Sequence, residues 1–250
     1  MQSILTYISL YNINYKNEVE YLKKYLTHLE EGVQVRNKEM SDYLNEDIKD
    51  AGIENEVALR DVYRDDLIKL PSYYYHSSFL LIYSLLESTL QKICKELYIQ
   101  LNLPIKPDEL IKKNYLEGSL KYIRCFTSLS KDLDNKGNDF IPYQKVRNLI
   151  VHNGSTLEHG TDLKKNLLFR KDITYETDGT FYINNIKFLQ LFLNKVDEFI
   201  SDCTKQIHSL EIVPVALHDK AVIKYYTLDE FNRIYHLPSE LEESYSDLPF

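Results

Sequence analysis

Residues 79–97, which read FLLIYSLLESTLQKICKEL, form the part of the chain that decides the fold. Apolar side chains recur there at intervals of three and four, which predicts an α-helix over about residues 72–101. One face of this helix carries Phe79, Ile82, Tyr83, Leu86, Leu90, Ile93 and Leu97. Leu81 and Leu85 project from the other side. A helix that is apolar on both sides is buried in a bundle or covered by a second subunit.

Two amphipathic segments precede this central helix. An apolar seam at helical spacing predicts a long first helix, with Gly32 as a weak interior point. The seam consists of Val19, Leu22, Leu26, Leu29, Val33 and Met40. A shorter amphipathic segment follows over residues 59–70. We expect it to stop at Pro71, because proline breaks the interior of a helix.

The region after the central helix alternates helical and turn signals. Apolar periodicity predicts another helix over roughly residues 108–134. The sequence NKGND at residues 135–139 indicates a loop by its turn chemistry. Pro142 suits the first turn of a helix and Gly154 suits the position just after one, so a short helix is expected from Tyr143 to Asn153.

The last elements are a hairpin and a long helix. Asp178-Gly179 lies between two alternating segments within residues 173–183, which is a strong β-hairpin signal. A regular 3.6-residue period predicts a helix from Asn185 to Leu210. The expected fold class is therefore all-α, a helical bundle with a β-hairpin inserted before its last long helix. We expect one helical domain over residues 1–213 and a C-terminal extension over residues 214–250 that ends in a partly mobile acidic tail.

The composition restricts the function classes. The formal net charge of −8 argues against a protein that coats nucleic acid non-specifically, although one small basic pocket remains compatible with it. Seven glycines and seven prolines favour long regular elements over a β-sandwich. No signal peptide and no membrane span are expected, so the predicted location is the cytoplasm. In that reducing compartment Cys94, Cys125 and Cys203 are predicted to be buried free thiols.

No metal or cofactor is expected. Five of the histidines lack paired ligands at metal-binding spacing: His28, His76, His208, His218 and His236. The chain also has no glycine-rich phosphate loop and no paired-cysteine zinc motif.

The chemically informative stretch is VRNLIVHNG, residues 146–154. At about 100° per residue, Val146, Leu149 and Ile150 form a core stripe. Arg147, Asn148 and His152 then share the face turned away from the core. Val151 lies in the middle of that polar face, which suggests that a second copy of the chain covers it. A two-fold contact would bring two Arg/Asn/His sets into one cleft.

These three side chains suit RNA cleavage without a metal. Arg147 offers a planar set of donors that matches a phosphate. His152 can exchange a proton near neutral pH, and Asn148 can position either a substrate hydroxyl or the imidazole. Such groups can support attack by a ribose 2′-hydroxyl on its own phosphodiester, which needs proton transfer and stabilisation of charge on phosphorus.

Arg147 and His152, with four residues between them on a late short helix, resemble the signature of the HEPN superfamily (higher eukaryotes and prokaryotes nucleotide-binding domains). That signature is Arg, four to six residues, then His, and its first intervening residue is often Asn, as Asn148 is here. Residues 80–90 are also similar to the family's long central helix, which often carries an acidic residue at the place of Glu87. The resemblance covers about residues 15–211.

The resemblance implies a homodimer whose Arg147, Asn148 and His152 form a metal-independent endoribonuclease site acting on an RNA substrate. It also implies a toxin or antiviral-defence effector with an antitoxin or defence-system partner protein, and no membrane association. One toxin subset has a Tyr two residues after the His, which a partner enzyme modifies. Position 154 is Gly here, which puts that mode of control in doubt.

Other side chains have a structural and a functional interpretation. Glu87 is expected to be a solvated or salt-bridged residue at the core edge, with orientation of Arg147 as the alternative. Tyr73–Tyr75 could stack on bases, although such a cluster more often packs the start of a helix. His159 could lie near the site, and the pairs Lys164–Lys165 and Arg170–Lys171 could contact an RNA backbone. For all of these residues, solvent-exposed loop positions are the favoured interpretation.

Two further functions remain open. The chain could be a non-catalytic HEPN module that binds RNA, a nucleotide or a protein partner through the same face. It could also be a purely structural helical interaction protein.

Overall fold

The computed structural model describes residues 2–111, 115–126, 131–152, 154–156, 172–176 and 179–209. The helices are α1 (Gln2–Ala51), α2 (Glu56–Arg64), α3 (Leu70–Leu101), α4 (Pro107–Leu110), α5 (Tyr115–Phe126), α6 (Lys131–Asn138), α7 (Ile141–His152) and α8 (Ile186–Ser209), with a 3-10 turn at Ile53–Asn55 and a π-helix at Asp65–Lys69. The strands are β1 (Ile173–Tyr175) and β2 (Phe181–Ile183). The described chain is therefore mostly helical with one small hairpin before the last helix, as the sequence predicts.

The central helix α3 packs against α1, α5, α7 and α8. Its predicted apolar face is buried along its length. On the opposite side Leu85 packs against the core, whereas Leu81 is half exposed in the single chain. The prediction that both sides of α3 are covered thus holds within one chain for Leu85 but not for Leu81.

Helix α1 is longer than the apolar seam alone indicates. It runs through Gly32 without a break, and in the described part of the chain no atom outside the helix lies within 4 Å of the position that a Cβ would take there. Val19, Leu26 and Val33 from the seam are buried. The ammonium of Lys16 lies 2.6 Å from the Asp197 carboxylate, which adds a polar link between α1 and α8.

Pro71 does not end the segment before α3, so that expectation is wrong. Helix α2, the π-helix and α3 follow one another without a gap, and Pro71 lies in the first turn of α3. The Leu70 N–H donates to the Asp65 carbonyl five residues back, which widens the turn. A proline lacks an N–H and clashes with the carbonyl four residues earlier in a regular helix. The π-helix moves that carbonyl away and so accommodates the ring.

The single helix predicted over residues 108–134 is also wrong, because α4, α5 and the start of α6 occupy this region. The predicted loop at 135–139 lies mostly within α6. A Cβ at Gly137 would come within 2.7 Å of the Leu120 side chain, and one at Gly118 within 3.1 Å of the Ile111 backbone. These close approaches show that the segment folds back on itself. Local turn propensity does not reveal such packing.

The hairpin is confirmed. Its strands are antiparallel, with Ile173 opposite Ile183 and Tyr175 opposite Phe181. Gly179, from the predicted turn, has a φ of 88°, a conformation that glycine adopts without strain. The chain leaving α7 joins the hairpin through an antiparallel bridge between Thr156 and Thr180.

Helix α8 closes the core and confirms the predicted last helix to within a residue at each end. Its Phe192 stacks on Phe79 of α3 with ring centroids 4.9 Å apart. Cys94 and Cys203 are buried as predicted, whereas Cys125 is only partly buried. None of the described helices is both long and apolar enough to cross a membrane. The predicted extension over residues 214–250 lies outside the described residues, so the domain division stays a prediction.

Candidate functional site

Helix α7 is held by apolar side chains on one face. Tyr143 and Val146 are buried, and Phe140 is buried just before the helix. The Tyr143 ring stacks almost parallel on Phe192, with an interplanar angle of 8° and centroids 4.3 Å apart. Stacked aromatic pairs of this kind stabilise beyond their buried area. This packing sets which face of α7 turns outward.

The outward face carries the residues that the helical wheel predicts. Arg147 is half-buried, and Asn148 and His152 are exposed. Val151 lies among them with 48% of its surface exposed. An exposed valine within a polar face is consistent with a covering partner, but a second copy of the chain at this place stays a prediction.

The structure brings Asn148 to Arg147. The guanidinium Nη1 of Arg147 donates to the side-chain oxygen of Asn148 at 3.1 Å. In the sequence-based hypothesis, this amide positions either a substrate hydroxyl or His152. The amide oxygen instead accepts a hydrogen bond from the guanidinium, so in this conformation Asn148 orients the Arg147 side chain.

Glu87 of α3 lies near Arg147 of α7. Burial raises the pKa of Glu87, and the nearby positive charge of Arg147 opposes this by lowering it. The two groups are thus close enough to influence each other, although no ion pair within 4.0 Å joins them in the described chain. Glu87 is thus a half-buried residue at the edge of the core, as expected, and its orientation of Arg147 stays the alternative interpretation.

Tyr83 is a core residue, as predicted, that also lies near Glu87 and Arg147. It lies one helical turn before Glu87, and its buried hydroxyl has no hydrogen-bond partner among the described residues. Burial raises the pKa of this phenol, and the adjacent Glu87 carboxylate raises it further. The four-residue spacing of Tyr83 and Glu87 is the sequence signal that could have found the pair.

A second polar cluster surrounds His76. Its ring lies 3.2 Å from the Ser72 hydroxyl and 3.1 Å from the Ser155 hydroxyl, and it accepts a 3.4 Å bond from the Ile183 N–H. Burial lowers the pKa of His76 to about 4. In the sequence, only the four-residue spacing of Ser72 and His76 indicates this cluster, because Ser155 is 79 positions away from His76.

The remaining candidates have different outcomes. Tyr73 and Tyr74 are exposed, whereas Tyr75 is buried and packs the start of α3. His159 and the basic pairs of residues 164–165 and 170–171 lie outside the described residues. Within the described part of the chain, no three His, Cys, Asp or Glu side chains gather into a site that could hold a metal ion.

Comparison with protein-family models, with curated proteins and with solved structures found no match to this chain.

Proposed function

We propose that this chain is a metal-independent endoribonuclease of the HEPN type that cuts RNA in a cleft between two copies. The observation that carries the proposal is the outward face of α7, on which Arg147, Asn148 and His152 lie together on a firmly packed short helix. A site on a well-packed helix keeps its geometry better than one on a loop.

Each residue has a defined role in this proposal. Arg147 binds the scissile phosphate and neutralises the charge that develops on it. Asn148 holds the guanidinium through the 3.1 Å hydrogen bond. His152 is the general acid or base, and its exposed position gives a substrate direct access.

The reaction balances without a metal or a cofactor. The 2′-oxygen forms a bond to phosphorus while its proton passes to an imidazole, and the bond from phosphorus to the 5′-oxygen breaks. An imidazolium returns a proton to that leaving oxygen. The products are a 2′,3′-cyclic phosphate and a 5′-hydroxyl. Two imidazoles are needed at once, and a second copy of α7 would supply the other.

The exposed Val151 supports a dimeric site. An apolar side chain amid polar ones gains stability when a partner removes it from water. The proposed biological role is that of a toxin or antiviral-defence effector controlled by an antitoxin or defence-system partner protein. Because Gly154 stands two residues after His152, that control would not act by modification of a tyrosine there.

The test is RNA cleavage by the purified full chain in EDTA. We expect 2′,3′-cyclic phosphate ends, and we expect His152→Ala to abolish cutting while the helical circular dichroism persists. His28→Ala is the matched control, since it removes an exposed histidine that lies on a different helix, α1. Full activity in His152→Ala would overturn the mechanism.

A second candidate function is a non-catalytic module that binds RNA, a nucleotide or a protein partner through this face. The bond between Arg147 and Asn148 favours it, because that bond builds an anion-binding group without engaging His152. Binding of an RNA panel without cleavage, weakened by Arg147→Ala and unchanged by His152→Ala, would favour this candidate over the nuclease.

A further inference from the structure

His76 joins three parts of the fold that meet beside α7. It lies near the start of α3 with 5% of its surface exposed. Its ring contacts Ser72 on its own helix, Ser155 in the turn after α7 and the backbone of Ile183 in β2. The ring also packs on Phe181 of β2, with centroids 5.3 Å apart. A buried polar ring with this set of partners is an anchor for the turn.

The hydrogen bonds define one tautomer of the ring. The Ile183 N–H can only donate, so Nε2 of His76 accepts. The ring proton then lies on Nδ1 and is donated to the Ser155 hydroxyl at 3.1 Å. The lowered pKa of His76 agrees with a neutral ring at physiological pH. Both ring nitrogens are satisfied, as a buried polar group requires.

The turn that His76 contacts has an unfavourable backbone. Ser155 has a φ of 67° and follows Gly154 with a φ of 55°. The left-handed conformation is costly for a residue with a Cβ and persists only when its surroundings hold it. Three bonds hold Ser155: its N–H donates to Leu149, its carbonyl accepts from Phe181, and its hydroxyl meets His76.

We propose that His76 is a positioning residue that fixes the last turn of α7, and with it His152, by holding Ser155. The inference rests on the proposed function for its catalytic consequence. His152 is only three residues from Ser155, so motion in the turn moves the imidazole relative to Arg147. A misplacement of about 1 Å in a catalytic group can lower the rate by roughly 100-fold.

His76 and Ser155 are not themselves a nucleophile and base. Both side chains are buried, and a substrate has no access to the Ser155 hydroxyl in this structure. The pair acts on the chemistry only through the exposed His152.

The test compares two serines that contact the same ring. Ser155→Ala removes the contact to the turn, and Ser72→Ala removes a hydroxyl on α3 and leaves the turn contact in place. The first measurement is hydrogen exchange at amides 149–155, which include the last turn of α7. We expect faster exchange there in Ser155→Ala but not in Ser72→Ala.

The second measurement is steady-state RNA cleavage. We expect kcat to fall by about tenfold or more in Ser155→Ala with KM nearly unchanged, and we expect Ser72→Ala to behave like the wild type. His76→Leu should match Ser155→Ala. His76→Asn should recover part of kcat, because its amide nitrogen lies near the position of Nδ1.

The outcomes separate this inference from the proposed function. Equal exchange in the two serine variants, or equal loss of kcat in both, would overturn the role of His76. If the wild-type chain cuts no RNA, the proposed function fails, while the exchange comparison still shows whether His76 holds the turn. Should His76→Leu fail to fold, the serine pair remains decisive.

Discussion

The guanidinium of Arg147 and the side-chain amide of Asn148 are joined by a 3.1 Å hydrogen bond between neighbouring residues of α7. This bond occupies one of the five N–H donors of the guanidinium. It also gives the Arg147 side chain a preferred direction on the outward face of α7. The neutral amide of Asn148 therefore supports the Arg147 guanidinium without neutralising its charge.

Asn148→Asp should weaken RNA binding roughly tenfold, which corresponds to about 1.4 kcal/mol. The new carboxylate would pair with Arg147 and compete with the phosphate. The measurement is the Kd for an uncleavable RNA in the His152→Ala background. Gln34→Glu on α1 adds a negative charge at another exposed place and is the control. Unchanged affinity in Asn148→Asp would show that Arg147 does not contact the RNA phosphate.

Arg147→Met should raise the pKa of Glu87 further. Burial already raises that pKa, and the positive charge of Arg147 now opposes the effect. Loss of that charge removes the opposing contribution. The measurement is a carbon NMR titration of the Glu87 carboxyl. Lys145→Met, which removes an exposed cation two residues earlier on α7, is the control. The electrostatic influence of Arg147 on Glu87 is disproved if Glu87 titrates identically in all three proteins.

The His76 ring should make the fold less stable in mild acid. Its pKa falls from 6.5 to about 4 on folding, so between these values the unfolded chain binds more protons than the folded chain. Stability therefore rises with pH across this window and is fully present above about pH 6.5. The expected loss on acidification from pH 6.5 to 4 is about 3 kcal/mol at most.

Urea unfolding at several pH values measures this effect. The difference in unfolding free energy between the wild type and His76→Asn should shrink as the pH falls from 6.5 to 4. Ser72→Ala keeps the imidazole and should keep the pH dependence of the wild type. A difference that does not vary with pH would mean that His76 does not titrate differently in the two states.

The elements that the sequence predicts well are those whose periodicity or turn residues lie within the element itself. Helix α8 has a regular apolar period, and the hairpin around Gly179 has a strong turn pair, so both are found nearly at their predicted bounds. Pro71 and the 135–139 segment were mispredicted for the opposite reason. The π-helix accommodates Pro71. The close approach of Gly137 to Leu120 accompanies a helix at a residue that forms helices poorly. The π-helix and the close approach of α6 to α5 are features of the folded chain, and local propensity does not encode them.

The same distinction applies to the candidate site. Arg147, Asn148 and His152 lie within six residues on one helix, so their shared outward face follows from helical geometry alone. Glu87 and Tyr83 approach α7 from another helix, and only the folded chain shows that they lie near Arg147. The contact between His76 and Ser155 joins residues 79 positions apart. Sequence reasoning can thus find the exposed face of the site but not what holds it in place.

The two glycines Gly154 and Gly32 should respond in opposite directions to the same substitution. Among the described residues that are remote in sequence, no atom lies within 4 Å of the position that a Cβ would take at either glycine, so backbone conformation decides the effect. Gly154 has a φ of 55°, and an alanine there would adopt the left-handed conformation at a cost of about 1–2 kcal/mol. Gly32 lies inside α1, where alanine should stabilise the fold by about 0.5–1 kcal/mol.

Unfolding free energies from urea titration of the two alanine variants and the wild type measure this difference. Gly154→Asn is a further control, because asparagine tolerates the left-handed conformation and should lose less stability than Gly154→Ala. A stabilising Gly154→Ala would mean that the turn after His152 does not adopt the positive φ described here. The left-handed backbone over Gly154 and Ser155, on which the anchoring role of Ser155 and His76 rests, would then be wrong at its first residue.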